Sequence, residues 1–194
     1  MSETELFFQN VIDVAQNIDY KQIEWAVLEL QNLRDRRGRL FIIGVGGSAG
    51  NASHMVNDMR KLCEIEAYAP SDNVSEITAR TNDEGFDTIF SEYLRVSKFC
   101  FNDTLFILSV GGGNKEKNVS LAIVNAIDYV KKVGGYIISI LGRSDGYAAE
   151  KSDIVIGVPL INTHHVTPLS ISFQSVVWHS MVTHSKLAKN KTKW

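Results

Sequence analysis

Two histidines and one aspartate stand where their side chains could act together. His54 and Asp58 are four residues apart in a helical stretch, so they share one helix face and lie one turn apart. There they could flank a substrate or share a metal ion. His179 lies in an apolar helical stretch near the C-terminus, after His164 and His165. A solvated polar helix face and a hydrogen-bonded packing histidine would show the same patterns, and both alternatives stay open.

Two glycine-rich segments each follow an apolar run and precede a helical one. The first, GVGGSAGN, covers residues 44–51, and the second, SVGGGN, covers residues 109–114. Glycine lets the chain turn tightly and approach a ligand, and the N–H groups at a helix start donate to anions. A turn required only for packing is the alternative for the first segment. The residues predicted to contact an anionic substrate are Gly46, Gly47, Ser48, Asn51, Ser109, Gly111, Gly112, Gly113 and Asn114.

The strands and helices that position these two segments can also be predicted from the sequence. Continuous apolar runs at residues 40–44, 104–109, 136–141 and 154–158 predict strands buried on both faces of a parallel sheet. Helical periodicity predicts two N-terminal helices with a break near Asp19, and further helices at 52–62, 86–98, 116–133 and about 167–184. The alternation predicts an α/β sandwich with its ligand site beyond the carboxyl ends of the strands.

Length and composition narrow the class of protein. The chain has 194 residues, 44% of them hydrophobic, which predicts one domain: helices at 1–37, an α/β core at 38–185 and a frayed tail at 186–194. A formal charge of −2 disfavours nucleic-acid and membrane partners. Cys63 and Cys100 are expected to be buried free thiols. Without a signal-peptide pattern or a long apolar segment, a soluble cytoplasmic protein is expected.

The order of these motifs resembles the sugar isomerase (SIS) domain. The resemblance rests on Gly44-x-Gly-Gly-Ser48, on the helical His54 with an acid four residues later, and on the strand that ends at Ser109. Its most specific part is the segment TNDEGFDTIF at residues 81–90, which is similar to the sedoheptulose-7-phosphate isomerase family. The likeness extends over nearly the whole chain, from the N-terminal helices to His179.

The resemblance implies a fold and an activity. The fold is a single three-layer α/β sandwich with a parallel, mainly five-stranded sheet. The assembly is a homotetramer with active sites between subunits. The activity is conversion of sedoheptulose 7-phosphate into a heptose 7-phosphate through an enediolate. No nucleotide cofactor is expected.

The resemblance also implies roles for particular residues. Asp58 and His179 would be the acid and base, in an order that stays open. His54, Asp58 and His179 would hold a zinc ion in those members that bind one. Asp83 would contact sugar hydroxyls or hold its loop.

The chain departs from the family pattern at several of these positions. Asp58 stands where the family has a glutamate, Ile171 replaces a glutamine that ligates zinc, and Val45 replaces an asparagine. The second segment lacks two hydroxyl groups, at Val110 and Gly111. Gln174 or His165 are candidate substitute ligands. Two other functions therefore stay open: a SIS module that binds a sugar phosphate without catalysis, and an isomerase for a different phosphosugar.

Overall fold

The computed structural model describes residues 1–192 and places an all-parallel five-stranded sheet between two layers of helices. The strand order is β2-β1-β3-β4-β5. The strands are β1 (Leu40–Gly44), β2 (Ala67–Tyr68), β3 (Thr104–Ser109), β4 (Tyr136–Leu141) and β5 (Ile154–Gly157). The predicted α/β class and the parallel sheet are confirmed. β2 was not predicted from the sequence, because a strand of two residues is too short to show a pattern of hydrophobicity.

Eight α-helices surround the sheet within the described residues. They are α1 (Glu3–Asn17), α2 (Tyr20–Asp35), α3 (Gly47–Cys63), α4 (Val74–Asp83), α5 (Ile89–Val96), α6 (Leu121–Lys132), α7 (Tyr147–Lys151) and α8 (Val166–Val182). The two predicted N-terminal helices and the break between them are confirmed. The predicted helix at 116–133 begins later, at Leu121, because Asn118 and Ser120 adopt positive φ angles, which an α-helix does not contain.

The helices that follow β1 and β3 lie on opposite faces of the sheet. α3 packs with α8 in one apolar cluster, against Ile42 of β1 and Phe106 of β3. α6 packs with α5 in the other cluster, against Ile43 and Ile107. Because β1 and β3 are neighbours, this divergence opens a crevice at their carboxyl ends. Both glycine segments therefore border the same crevice.

A nearly buried ion pair ties β1 and β3 together at the opposite edge of the sheet. The Asp103 carboxylate accepts from the Arg39 guanidinium at 2.6 and 3.1 Å and from the N–H groups of Arg39 and Cys100 at 2.9 and 3.0 Å. Burial of the carboxylate opposes its charge, but the hydrogen bonds together outweigh that effect and hold the pKa of Asp103 below its ordinary value. The pair thus fixes the starts of two central strands.

The structure corrects two smaller expectations. The C-terminal segment is packed rather than frayed as far as Asn190: Leu187 is buried, and Arg34 donates to the carbonyl oxygens of Lys186 and Leu187. The end of the predicted tail, residues 193–194, lies outside the described residues. Cys63 is buried, which raises the pKa of its thiol to about 11, whereas Cys100 is exposed. Among the residues described, no helix combines the length and the apolar character needed to span a bilayer.

Candidate active site

The structure brings His54, Asp58 and His179 together, and we call these three residues the His–Asp–His cluster. The Nε2 atoms of both histidines lie 3.8 Å from the same carboxylate oxygen, Oδ2 of Asp58. The other oxygen, Oδ1, accepts from the side-chain amide of Asn57 at 2.7 Å. One nitrogen or oxygen of each of the three side chains lies within 4.8 Å of the others. The candidate catalytic and metal-ligating residues thus share one site.

The hydrogen bond of His179 fixes which of its ring nitrogens faces the carboxylate. Nδ1 lies 2.8 Å from the backbone carbonyl oxygen of Ser175. A carbonyl oxygen only accepts, so Nδ1 carries a hydrogen and the neutral ring presents a lone pair at Nε2. That lone pair faces the oxygen of Asp58, and two electron pairs repel each other at this distance. The pair is therefore stabilised by a proton on Nε2 or by a cation between the two groups.

Trp178 forms the buried side of the cluster. Its ring is fully buried, with ring-centroid distances of 4.7 Å to His54 and 3.5 Å to His179. The opposite side is open, because 57% of the His54 side chain and 45% of the His179 side chain are exposed, against 13% for Asp58. A ligand thus has access to both imidazoles. Trp178 was not selected as a site residue from the sequence, although it directly precedes the candidate His179 in the chain.

The first glycine segment forms an uncapped start of α3. Gly46 takes φ +62°, and no side chain caps the helix, so the first-turn N–H groups of α3 have no side-chain acceptor there. Apart from Gly46 itself and its chain neighbours, no described atom lies within 4 Å of where a Cβ of Gly46 would be, so the turn borders open space. The hydroxyl of Ser48 points the other way: Ser48 is buried, and its Oγ accepts from the Gln174 amide at 3.0 Å. Backbone amides, rather than the Ser48 hydroxyl, therefore face the crevice.

The second glycine segment is held by its own hydrogen bonds. The hydroxyl oxygen of Ser109 accepts from the N–H of Gly112 at 2.9 Å. The carbonyl oxygens of Gly112 and Gly113 accept from the first N–H groups of α7, at Ala148 and Tyr147. Gly112 and Gly113 both take positive φ, and Gly111 borders open space. The loop is thus preformed, with Gly111 at its free surface.

The remaining predicted contact residues serve local roles. The side-chain oxygen of Asn114 accepts from the N–H of Lys117 at 2.8 Å within the loop before α6. Asp83 ends α4, is exposed, and accepts from Asn82 at 2.7 Å. Among residues 1–192 no hydrogen bond or ion pair joins Asp83 to the glycine segments or to the His–Asp–His cluster.

The two candidate substitute ligands are engaged elsewhere. The Gln174 side chain is buried between Ser48 and Asn51, and the Nδ1 of His165 lies 2.8 Å from the side-chain amide of Asn10 on α1. Ile171 packs over the first glycine segment, 3.0 Å from where a Cβ of Gly47 would lie. The position of the family's glutamine ligand is thus an apolar wall in this chain.

Comparison with known proteins identifies the family to which the chain belongs. Residues 7–142 match the SIS domain family. The chain is 31% identical to the phosphoheptose isomerase of Mycobacterium tuberculosis over 140 residues, which are 70% of this chain and 68% of that protein. It is 30% identical to the lincomycin biosynthesis protein LmbN of Streptomyces lincolnensis over 154 residues, 74% of this chain, and it spans only about half of that protein's length, 54%.

The structural comparison gives the same fold. A phosphoheptose isomerase from Neisseria gonorrhoeae superposes with a TM-score of 0.80 over 92% of this chain and 95% of the other, at 24% sequence identity. The superposition covers nearly the whole chain, so the two proteins share the overall fold described above. The chain therefore belongs to the SIS-domain family, in its phosphoheptose-isomerase-like group of sugar-phosphate isomerases.

Proposed function

We propose that the protein interconverts a ketose phosphate and an aldose phosphate, with sedoheptulose 7-phosphate and a heptose 7-phosphate as the pair. The observation that carries this proposal is the His–Asp–His cluster, which places a carboxylate and an imidazole side by side with solvent access. Isomerisation requires a base that removes a proton from the carbon beside the carbonyl and an acid that protonates the carbonyl oxygen. The proton then returns to the former carbonyl carbon, and the hydroxyl on the other carbon gives its proton back to the group that acted as the acid and becomes the new carbonyl.

We assign the base to Asp58 and the acid to His179. Because Nδ1 of His179 is bonded to the Ser175 carbonyl, the proton that His179 gives to the substrate is the one on Nε2. A protonated Nε2 also turns its contact with Asp58 from repulsion into attraction. The carboxylate takes the carbon-bound proton, the carbonyl oxygen receives the Nε2 proton, and the enediol forms. Each group is expected to contribute about 10²–10⁴-fold to the rate.

The spacing between the two ends of the site supports a long sugar. We propose that the phosphate binds at the uncapped start of α3 and at Gly111 in the second segment. Ser48 and His54 are six residues apart on α3, about 9 Å along the helix axis at roughly 1.5 Å per residue. The reacting carbonyl would therefore lie far from the phosphate, as in an extended seven-carbon chain.

The donor set of the cluster also fits a zinc ion. Two imidazole nitrogens and one carboxylate oxygen, with a solvent position left open, are the ligands of a catalytic zinc site. The bond from His179 Nδ1 to Ser175 orients Nε2 as a ligand orients in such sites. Held by His54, Asp58 and His179, zinc would supply a Lewis acid for the substrate carbonyl in place of the Nε2 proton, because a ring nitrogen that ligates zinc carries no proton.

Zinc binding can be measured directly. We expect calorimetric titration of the metal-free protein with zinc to give one site per chain, and His54→Ala to weaken binding at least tenfold. His164→Ala is the control, because His164 lies before α8 and outside the cluster. Equal zinc affinity in wild type and His54→Ala would reject this assignment.

We further propose a cytoplasmic homotetramer with sites completed between subunits. Supporting this, α1 exposes Leu6, Phe8 and Ile12, with 62% of Phe8 open to solvent in the single chain. Light scattering coupled to size-exclusion chromatography is expected to give four times 21.6 kDa. A monomer mass would overturn this assembly.

The proposed activity is tested by an isomerase assay with sedoheptulose 7-phosphate, run beside thermal-shift measurements with a series of sugar phosphates. Turnover supports the proposal. Stabilisation without turnover supports the second candidate, a SIS module that binds without catalysis. That candidate is favoured by one observation: the hydroxyls of Ser48 and Ser109 both bond to protein groups instead of facing a ligand. If the protein converts a different phosphosugar and not sedoheptulose 7-phosphate, the proposed substrate is wrong but the proposed class of reaction is retained.

A further inference from the structure

We propose that Asn51 is a positioning residue that sets α3 and α8 in the register at which His179 meets Asp58. This inference rests on the proposed isomerase function for its kinetic consequence, but its structural consequence is independent of substrate. Asn51 was predicted to contact substrate. Its hydrogen bonds show instead that the side-chain amide is occupied by α8.

The Asn51 amide joins three residues of one helical turn of α8. Its Nδ2 donates to the backbone oxygen of Ile171 and to Oε1 of Gln174, both at 2.9 Å. Its Oδ1 accepts from the hydroxyl of Ser175 at 2.8 Å. Both amide hydrogens and the amide oxygen thus have partners within the protein, and little bonding capacity is left for a ligand.

The same network continues into the core through Gln174. Gln174 is fully buried, and its Nε2 donates to Ser48 at 3.0 Å, so the first turn of α3 is joined to α8 as well. A buried amide that loses a partner leaves an unsatisfied polar group, which makes any other register of the two helices unfavourable. Asn51 and Gln174 therefore select one alignment of α3 and α8.

That alignment determines the catalytic geometry. Asn51 contacts residues 171–175, while His54 and Asp58 contact residues 178–179 further along α8, so the two helices run in the same direction. Ser175 links the two levels: its hydroxyl donates to Asn51, and its backbone oxygen accepts from His179 Nδ1. A shift of α8 along α3 would move Nε2 of His179 away from Asp58. Misplacement by about 1 Å can cost about 10²-fold in rate.

The test compares Asn51→Ala and Ser175→Ala with Ser172→Ala. Ser172 is an exposed serine on the same helix outside the network, so its substitution removes a hydroxyl without touching the register. Crystal structures would measure the separation of Asp58 Oδ2 and His179 Nε2, and steady-state assays would give kcat and KM. Ser175→Ala keeps the proposal testable if Asn51→Ala does not fold.

We expect Asn51→Ala to lengthen the Asp58–His179 separation by about 1 Å or more and to lower kcat about 10²-fold, with KM within twofold. Ser175→Ala is expected to lengthen the separation and to lower kcat as well, but by smaller amounts. Ser172→Ala is expected to change neither the separation nor kcat. An unchanged separation in both network variants overturns the proposal. A rise in KM at constant kcat also overturns it, because Asn51 would then bind substrate. If the wild type converts no sugar phosphate, the proposed function is wrong. The measured Asp58–His179 separation alone then tests whether Asn51 sets the register of the two helices.

Discussion

Replacing His179 with alanine is expected to lower kcat by at least about 10²-fold, while the fold and the melting temperature stay close to those of wild type. The expected loss follows from the role of His179 as the acid, since a general acid contributes about 10²–10⁴-fold. Stability is expected to change little because 45% of the side chain is exposed and only one side of the ring contacts the buried Trp178. An isomerase assay and a thermal melt measure the two effects.

The matched control is His184→Ala. His184 follows α8 and lies beside Glu24 of α2, with 3.5 Å between its Nε2 and the carboxylate, away from Asp58. Its substitution is expected to leave kcat within twofold of wild type. Equal activity of wild type and His179→Ala would remove His179 from the mechanism and leave only the scaffold of the site.

Replacing Asp103 with alanine is expected to lower the free energy of unfolding by about 3 kcal/mol, the cost of breaking a buried ion pair by removing one partner. The Asp103 side chain is 3% exposed, and its loss removes the carboxylate partner of Arg39 and leaves Arg39 Nε and two backbone N–H groups without their acceptor. Urea denaturation at pH 7 measures the change. Asp145→Ala is the control, because its pair with Arg143 is exposed and solvent screens such pairs, so its loss is expected to change stability little. Equal effects of the two substitutions would contradict this account.

Asp103 also makes the stability depend on pH in a defined direction. Its pKa is lower in the folded than in the unfolded protein, so the folded protein releases this proton more readily. The contribution of the ionised Asp103 to the free energy of unfolding is complete above the pKa of the unfolded protein, about 3.9. It is lost as the pH falls through the lower pKa of the folded protein. The stability difference between wild type and Asp103→Asn is therefore expected to be constant from pH 7 to 5 and to shrink below about pH 4. A constant difference down to pH 2 would argue against the shift.

Much of the fold was readable from the sequence because buried parallel strands leave continuous apolar runs. The runs that begin at Leu40, Thr104 and Tyr136 coincide with β1, β3 and β4. β2 carried no such pattern, since it is two residues long and pairs with β1 on one side only. The late start of α6 was hidden because left-handed conformations at Asn118 and Ser120 leave no mark in the hydrophobic pattern.

The site was only partly readable for a different reason. The spacing of His54 and Asp58 predicts a shared helix face, and that is local information. His179 lies beside them because of the way α8 packs along α3, and no local sequence pattern encodes that packing. The same holds for Ser48, whose residue type suggested a ligand contact but whose hydroxyl bonds to Gln174 on α8.

The common direction of α3 and α8 has an electrostatic consequence. Both helices begin at the carboxyl edge of the sheet, where Ser170 of α8 approaches Gly142 after β4, so the positive ends of two peptide dipoles face the same crevice. A chain with a formal charge of −2 can thereby attract an anion without a lysine or arginine at that point. Peptide dipoles do not titrate, so any change of affinity with pH at this end would follow the second ionisation of the phosphate itself, near pH 6.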